Sequence, residues 1–343
     1  MGEPGSVIQE YVDRAFGRFM HLRGKDEPPL TPWTPPPAAG LARVKEHLAD
    51  RYGVTVKKLK PLDCGVYRVD RGDGSSWVAR VFPPARSISA VEDDAAILRF
   101  LADHDFPSER LADDEPISEV DGHPVIVTMF IKGKSPGATA VSGKWQGDAV
   151  GRLHSFPLDD LPARPGGGWH GLSLEGGGRA ADLALLATLL NDLEKRVPAD
   201  QRKDVDALRE ALAALDLCED LPHALVHVDF GGPNVLKSTD GSFTAIDWTG
   251  AGRGPRIESV AATIGPLPPT AMRAAVDAYR NHIELTPEEL ERVEGSLLTH
   301  QLVLACWAVA MRPAQLPGVA VQLPKAGPAM RAIATRLRKA FAG

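Results

Sequence analysis

Cysteine is scarce. Three occur among 343 residues, Cys64, Cys218 and Cys306, far apart and with neither a CxxC pair nor a histidine at ligand spacing. That usage argues against a disulfide framework or a structural zinc site and fits reduced thiols in a cytoplasmic protein. Long apolar runs are missing too: no stretch approaches the roughly 20 uninterrupted apolar residues that span a bilayer. The opening MGEPGSVIQEYVDRAFGRFM lacks the basic-then-apolar order of a secretory signal. A cytoplasmic chain with no membrane partner is expected. Basic excess is absent: 39 Lys+Arg stand against 45 Asp+Glu, a net charge of -6, so no basic face is expected for nucleic acid. Mild acidity suits a cationic substrate but is also common. Glycine-rich phosphate loops are lacking as well. No G-x-G-x-x-G occurs, and in GATAVSGKW five residues separate Gly137 from Gly143 while Trp145 stands where a P-loop needs Ser or Thr.

What is present is an ordinary globular composition, 43% hydrophobic and 24% charged, enough for one large or two medium lobes. Residues 8 to 23 are weakly amphipathic and lead into the proline-dense DEPPLTPWTPPPAAG, so residues 1–38 read as an extension and linker. Leu41, Val44, Leu48 and Tyr52 repeat at helical spacing and stop at Gly53. Strand signals follow in VTVKKLKPL, GVYRV and WVARVF, a helix at about 91 to 104, and two more strands, ISEV and PVIVTMFI, around the turn DGH. Residues 39–131 thus form a β-β-β-α-β-β lobe. From 132 to 343 helix dominates: Leu183, Leu186, Leu190 and Leu193 make one face, and Val205, Leu208, Leu212 and Leu215 another. Helices are also expected near 270 to 284 and after TPEE, where Thr286, Pro287 and Glu289 spell a capping box. The strand signals of this part are HALVHV, NVLKS and FTAIDW.

Those strands flank HVDFGGPN, residues 227–234, where a His, an Asp and an Asn interrupt apolar runs. Buried polar groups need partners. Asn234 enters one arm of the expected hairpin and Asp247 leaves the other, so a carboxylate and an amide oxygen converge, a donor set suited to magnesium held jointly with substrate phosphates. Asp229 lies close enough to orient a hydroxyl for attack. The alternative, that Asp229 and Asn234 merely stabilise a Gly-Gly-Pro turn, leaves Asp247 unexplained.

HVDFGGPNVL followed by AIDW resembles the Brenner-type signature of the aminoglycoside phosphotransferase and choline kinase family, relatives of protein kinases with their H-x-D-x-x-x-x-N catalytic loop. The resemblance implies an α+β, protein-kinase-like two-lobe fold, with a small antiparallel-sheet N-lobe and a larger, mainly helical C-lobe. It implies Asp229 as catalytic base, Asn234 and Asp247 as Mg2+ ligands, and His227 as brace of the loop. In WVARVF, Arg80 stands where kinases place a phosphate-clamping lysine, the alternative being a solvent-facing strand arginine. Its acidic partner is Asp94 or Glu92, with Asp94 favoured by the phase of Leu98 and Leu101. Gly65 is what remains of a phosphate-covering loop. TMFIKG, residues 128–133, resembles the hinge, with the backbone of Met129 and Ile131 on the adenine edge, the alternative being a buried edge strand. Glu258 either lines the acceptor site or caps a helix, and His154 reads as a packed core residue.

Val228 replaces the arginine with which protein kinases read a phosphorylated loop, and Trp-Thr-Gly rather than Phe-Gly follows Asp247, so a small acceptor is indicated rather than a protein. The expectation is a phosphotransferase using ATP or GTP with Mg2+ on a hydroxyl of a small molecule, an antibiotic such as an aminoglycoside or a metabolite. A nucleotide-binding pseudokinase or regulatory module is the alternative. A monomer or homodimer is expected. The glycine-rich segment 165 to 178 is a lid over the acceptor or a flexible connection.

Overall fold

The computed structural model describes residues 40–63, 65–166, 178–311 and 313–343. The expected helix at 8 to 23, the proline-dense linker, Cys64 and most of the glycine-rich segment 165 to 178 lie outside the described residues.

The N-lobe runs α1 (Gly40–Tyr52), β1 (Val56–Asp63), β2 (Val66–Arg71), β3 (Ser76–Val81), α2 (Ile88–Asp103), β4 (Ile117–Val120) and β5 (His123–Met129). Its five strands pair antiparallel in the order β1-β2-β3-β5-β4. In β3 the two-residue period sends Trp77, Ala79 and Val81 into a core shared with Val44, Leu48 and Val127. Arg80 therefore points to the opposite face. The helix expected from about 91 starts earlier, at Ile88, because Ser87 caps it by accepting the Ala90 N–H (3.2 Å).

The C-lobe comprises α3 (Ala140–Ser155), α4 (Gly178–Glu194), α5 (Arg202–Ala213), β6 (His223–Val226), β7 (Val235–Lys237), β8 (Phe243–Ala245), β9 (Gly252–Pro255), α6 (Arg256–Thr263), α7 (Pro269–Tyr279), α8 (Pro287–Met311) and α9 (Leu316–Ala342). β7 and β8 form the expected hairpin. β6 instead pairs with β9, whose sequence GRGP carries no strand signal. The capping box is present: Glu289 accepts the Thr286 N–H (2.7 Å) and Thr286 Oγ1 accepts the Glu289 N–H (3.2 Å). Glu289 also receives Arg256 on both oxygens (2.5 and 2.6 Å), which ties α6 to α8. By length and composition the stretch Pro287–Ala310 could cross a membrane, but 72% of its apolar window is buried inside the protein. There it packs against α4, α6 and α9.

α3 and α7 make the most intimate helix pair. Gly143, Gly147 and Gly151 recur every fourth residue of α3 and so share a face. A Cβ at Gly143 or Gly147 would overlap the carbonyl of Ala271 or Ala275, and one at Gly151 would lie 2.9 Å from the Tyr279 carbonyl. Gly143 of GATAVSGKW and the two glycines after it thus serve backbone-to-backbone packing. Trp145 stacks between Phe230 and Phe243, at 5.7 and 5.4 Å between ring centres, so α3 supports the catalytic stretch from below. His154, at the end of α3, is buried and bonded to the Tyr279 hydroxyl (2.9 Å).

The lobes are joined by a buried ionic triad. Asp94 of α2 does not pair with Arg80. Its Oδ2 takes Arg86 (2.8 Å) and its Oδ1 takes Arg164, on the C-lobe stretch before α4. Each of its oxygens thus faces a buried guanidinium group, and Asp94 reaches Arg80 only through charge. Glu92, two residues earlier, is exposed. The Arg164 carbonyl in turn accepts the Arg253 N–H of β9 (2.8 Å).

Two expected outcomes follow from this packing. Gly147→Ala, by forcing α3 from α7, lowers stability by roughly 1–3 kcal/mol or more in denaturant melts, although alanine favours helix. Asp94→Asn leaves two buried arginines without a counter-charge and lowers it by about 3–5 kcal/mol. A normal melting temperature with weakened nucleotide binding would instead restore Asp94 as the partner of Arg80.

Candidate active site

The apolar strands on either side of HVDFGGPN set the geometry. β6 delivers His227, and the turn GGPN leads into β7. The Ile246 N–H donates to the Asn234 carbonyl (2.9 Å), so Asp247 leaves β8 beside Asn234. The Asn234 amide donates to Asp229 Oδ2 (2.7 Å) and to the Asp229 carbonyl (3.1 Å). His227 is buried. Its Nδ1 accepts the Asp229 N–H (3.3 Å), its Nε2 lies 3.5 Å from the Ile246 carbonyl, and its ring lies 4.8 Å from that of Trp248. The imidazole thus spans from Asp229 to the segment that carries Asp247. The backbone N–H of His227 donates to Ser259 Oγ (3.0 Å) on α6, a contact the sequence reading missed.

Arg80 enters from the sheet of the other lobe. Its Nη2 lies 2.7 Å from Asp247 Oδ1, with both side chains mostly buried, so it is not a solvent-facing arginine. Asp247 itself has φ of +65°, a left-handed conformation that aspartate tolerates better than most residues. A second acid, Glu109, sits between Arg80 and the Asp247 backbone and was not expected: it accepts the Asp247 N–H (2.7 Å) and the Thr128 hydroxyl (3.0 Å). Nothing in FPSERL marks it, because its role depends on a contact 138 residues away.

Charge decides what this cleft can hold. Burial, then the neighbouring Asp247 carboxylate, pushes Asp229 up to about 7, against the Asn234 hydrogen bond. The Asp229 side chain opens on the cleft, so water tempers the burial contribution; the upward direction stands on Asp247 as well. Burial likewise raises Glu109, with Arg80 opposing. Three acids against one arginine leave negative charge in excess, and the oxygen donors of Asn234 and Asp247 are hard ligands. The residues therefore fit a divalent cation. With its amide nitrogen donated to Asp229, Asn234 has its carbonyl oxygen for such an ion.

The remaining expected residues are placed unequally. Gly65 has φ of +69° in the β1–β2 turn, and a Cβ there would lie 2.5 Å from the Val81 carbonyl, next to Arg80. Its neighbour Val66 is in register with Arg80. Met129 ends β5 and is exposed, but its N–H is already bonded to the Arg110 carbonyl (2.8 Å). The Phe130 N–H is likewise taken, by the Ser76 carbonyl (3.0 Å), and Ile131 beyond it is half-buried. Glu258, in the first turn of α6, is buried 3.1 Å from Arg179 of α4, and its side chain caps no backbone N–H. Burial pushes it up to about 7, with Arg179 opposing. The structure brings Asp229, Asn234, Asp247, Arg80 and His227 together and leaves Asp94 and Glu258 outside their circle.

The "Phosphotransferase enzyme family" model matches residues 65–294, more than half of the chain. No curated protein matches the sequence. Among solved structures, amicoumacin kinase hAmiN in complex with AMP-PNP, Ca2+ and Ami is similar at 16% identity with a TM-score of 0.59, over 83% of this chain and 95% of that one. The choline kinase LicA from Streptococcus pneumoniae is similar at 14% and 0.57, over 86% and 100%. A thermostable mutant of the aminoglycoside phosphotransferase APH(4)-Ia is similar at 20% and 0.55, over 85% and 98%. At such identities these likenesses speak for the protein-kinase-like fold, and the family match speaks for the chemistry carried on it. The chain belongs to the phosphotransferase enzyme family of small-molecule kinases.

Proposed function

We propose that the protein transfers the terminal phosphate of ATP or GTP to a hydroxyl group of a small molecule, an antibiotic or a metabolite, with Asp229 as the base. The observation that carries this reading is the convergence of Asp229, Asn234 and Asp247 from the C-lobe with Arg80 from the N-lobe, within hydrogen-bond or ion-pair reach of one another. A pseudokinase has no need of so complete a set.

In this reading each group has one task. Asp229 accepts the acceptor's hydroxyl proton as the oxygen attacks, and its raised affinity for protons suits it to that role near neutral pH. Asn234 orients the Asp229 carboxylate through its amide N–H. Arg80, a planar fork whose charge does not titrate, meets the nucleotide's phosphates. His227 keeps the base and the Asp247 segment in register. Asn234 and Asp247 would hold magnesium, which when bound would neutralise charge on the nucleotide's phosphates. Most of the barrier reduction then comes from positioning and fixed charge. The acceptor class is supported by names of similar structures that span antibiotics and choline, and by the departures at Val228 and Trp248 from the protein-kinase pattern.

Asp229→Asn is expected to cut turnover by about two to four orders of magnitude while nucleotide affinity stays nearly unchanged, measured in a transfer assay beside equilibrium binding. Equal turnover would remove Asp229 from the role. The pH dependence has a defined sign. A carboxylate raised to about 7 is protonated below that value, so kcat/KM falls as pH drops through it. The corresponding limb in kcat moves to lower pH, because bound cation favours the charged form. A kcat/KM profile flat between roughly pH 5.5 and 8 would count against the assignment. For the acceptor, a thermal-shift and phosphate-transfer screen over antibiotics, amino alcohols and sugars, with ATP and GTP in parallel, is the discriminating experiment.

A further inference from the structure

Glu109 belongs to the N-lobe by sequence and to the catalytic cleft by contact. It lies on the stretch between α2 and β4, and that stretch is fastened to the end of β8. The Ala245 N–H donates to the Pro107 carbonyl (2.9 Å), the Glu109 N–H donates to the Ala245 carbonyl (2.9 Å), and Ser108 bridges Ala245 in parallel. From this anchored backbone the two carboxylate oxygens reach in different directions. One accepts the backbone N–H of Asp247 (2.7 Å), and the other accepts the buried hydroxyl of Thr128 (3.0 Å), the residue before Met129 on β5.

Asp247 is the residue that needs such support. Its backbone is held at φ of +65°, and a non-glycine residue persists there only when its surroundings determine it. A hydrogen bond from its N–H to a charged acceptor is stronger than one to a neutral acceptor. Arg80, facing both acids, keeps them from repelling each other outright. Asp94, committed to Arg86 and Arg164, cannot take this place.

We propose that Glu109 is the positioning residue of the cation site: it locks the backbone of Asp247, and through Thr128 it couples that lock to the hinge strand that borders the nucleotide. The inference rests on the reading of Asp247 as a cation ligand. Partners that orient a metal ligand change affinity by roughly 10- to 100-fold when removed.

The test measures Mn2+ affinity by electron paramagnetic resonance in the presence of a non-hydrolysable nucleoside triphosphate, the affinity of the same nucleotide in EDTA, and the melting temperature. Glu109→Ala is expected to weaken Mn2+ by roughly 10- to 100-fold and to leave metal-free nucleotide affinity unchanged. Glu109→Gln, which keeps an acceptor oxygen for the Asp247 N–H, is expected to recover most of that loss. Thr128→Val, which removes only the second anchor, is expected to weaken Mn2+ by a few-fold without lowering the melting temperature. It keeps the idea testable if Glu109→Ala does not fold. Unchanged Mn2+ affinity in these variants, or equal losses of nucleotide affinity with and without metal, overturns the proposal. Asp247→Asn separates the two failures. If it binds Mn2+ normally, the cation reading of Asp247 itself is wrong; if it loses Mn2+ while Glu109→Ala does not, only the role of Glu109 is wrong.

Discussion

Two carboxylates, Asp229 and Asp247, share one cleft, and much of the surrounding structure answers their repulsion. Asp247 pushes Asp229 towards its protonated form, so a chain that only had to fold would not place them together. The relief comes from opposite sides. Arg80 reaches down from the N-lobe sheet to Asp247, and the Asn234 amide reaches across to Asp229. Neither suffices to balance the site once Glu109 is counted. The remaining negative charge makes a bound cation and the phosphates it brings a favourable addition.

Holding opposed charges at fixed distances requires stiff supports, and the supports are packing devices. The α3 glycines let α7 approach until backbone meets backbone, and Trp145 on the same helix stacks between Phe230 and Phe243. The floor beneath residues 227–234 is thereby fixed by contacts too close to slide. Across the cleft the Arg86–Asp94–Arg164 triad binds α2 to the stretch that pairs with β9. β9 follows Asp247 in the chain and is paired to β6, which precedes Asp229. The two acids are thus clamped from both ends of their own segments.

How much of this could be read beforehand divides along a physical line. HVDFGGPN and Asp247 were legible because their partners lie within about one hairpin, and local spacing carries that information. The five N-lobe strands were legible because a sheet with one buried face imposes a two-residue period. What escaped depends on contacts distant in sequence or on residues that look like breakers. β9 is GRGP, and its strand exists because β6 lies beside it. α9 runs through Pro324 and Pro328, which local rules read as a stop, and was missed although tertiary packing carries the helix on. Asp94 was placed on the correct face of α2, but its owner could not be told without knowing where Arg164 lands. Glu109 and Ser259 sit in unmarked loop and helix positions, and only the fold gives them partners.

The choice of cations in this site has a consequence of its own. A lysine at position 80, desolvated between lobes, would lose proton affinity and titrate towards the working range; an arginine does not. The triad likewise uses Arg86 and Arg164 around a single carboxylate. The charges of Arg80, Arg86 and Arg164 are therefore constant with pH, unlike those of the carboxylates they face. Among these Asp247 is held by Arg80, and Glu109 accepts hydrogen bonds on both oxygens. Asp229 accepts one from a neutral amide on one oxygen, and its side chain opens on the cleft. Under the proposed function, the group left free to exchange a proton is the one that takes it from an incoming hydroxyl.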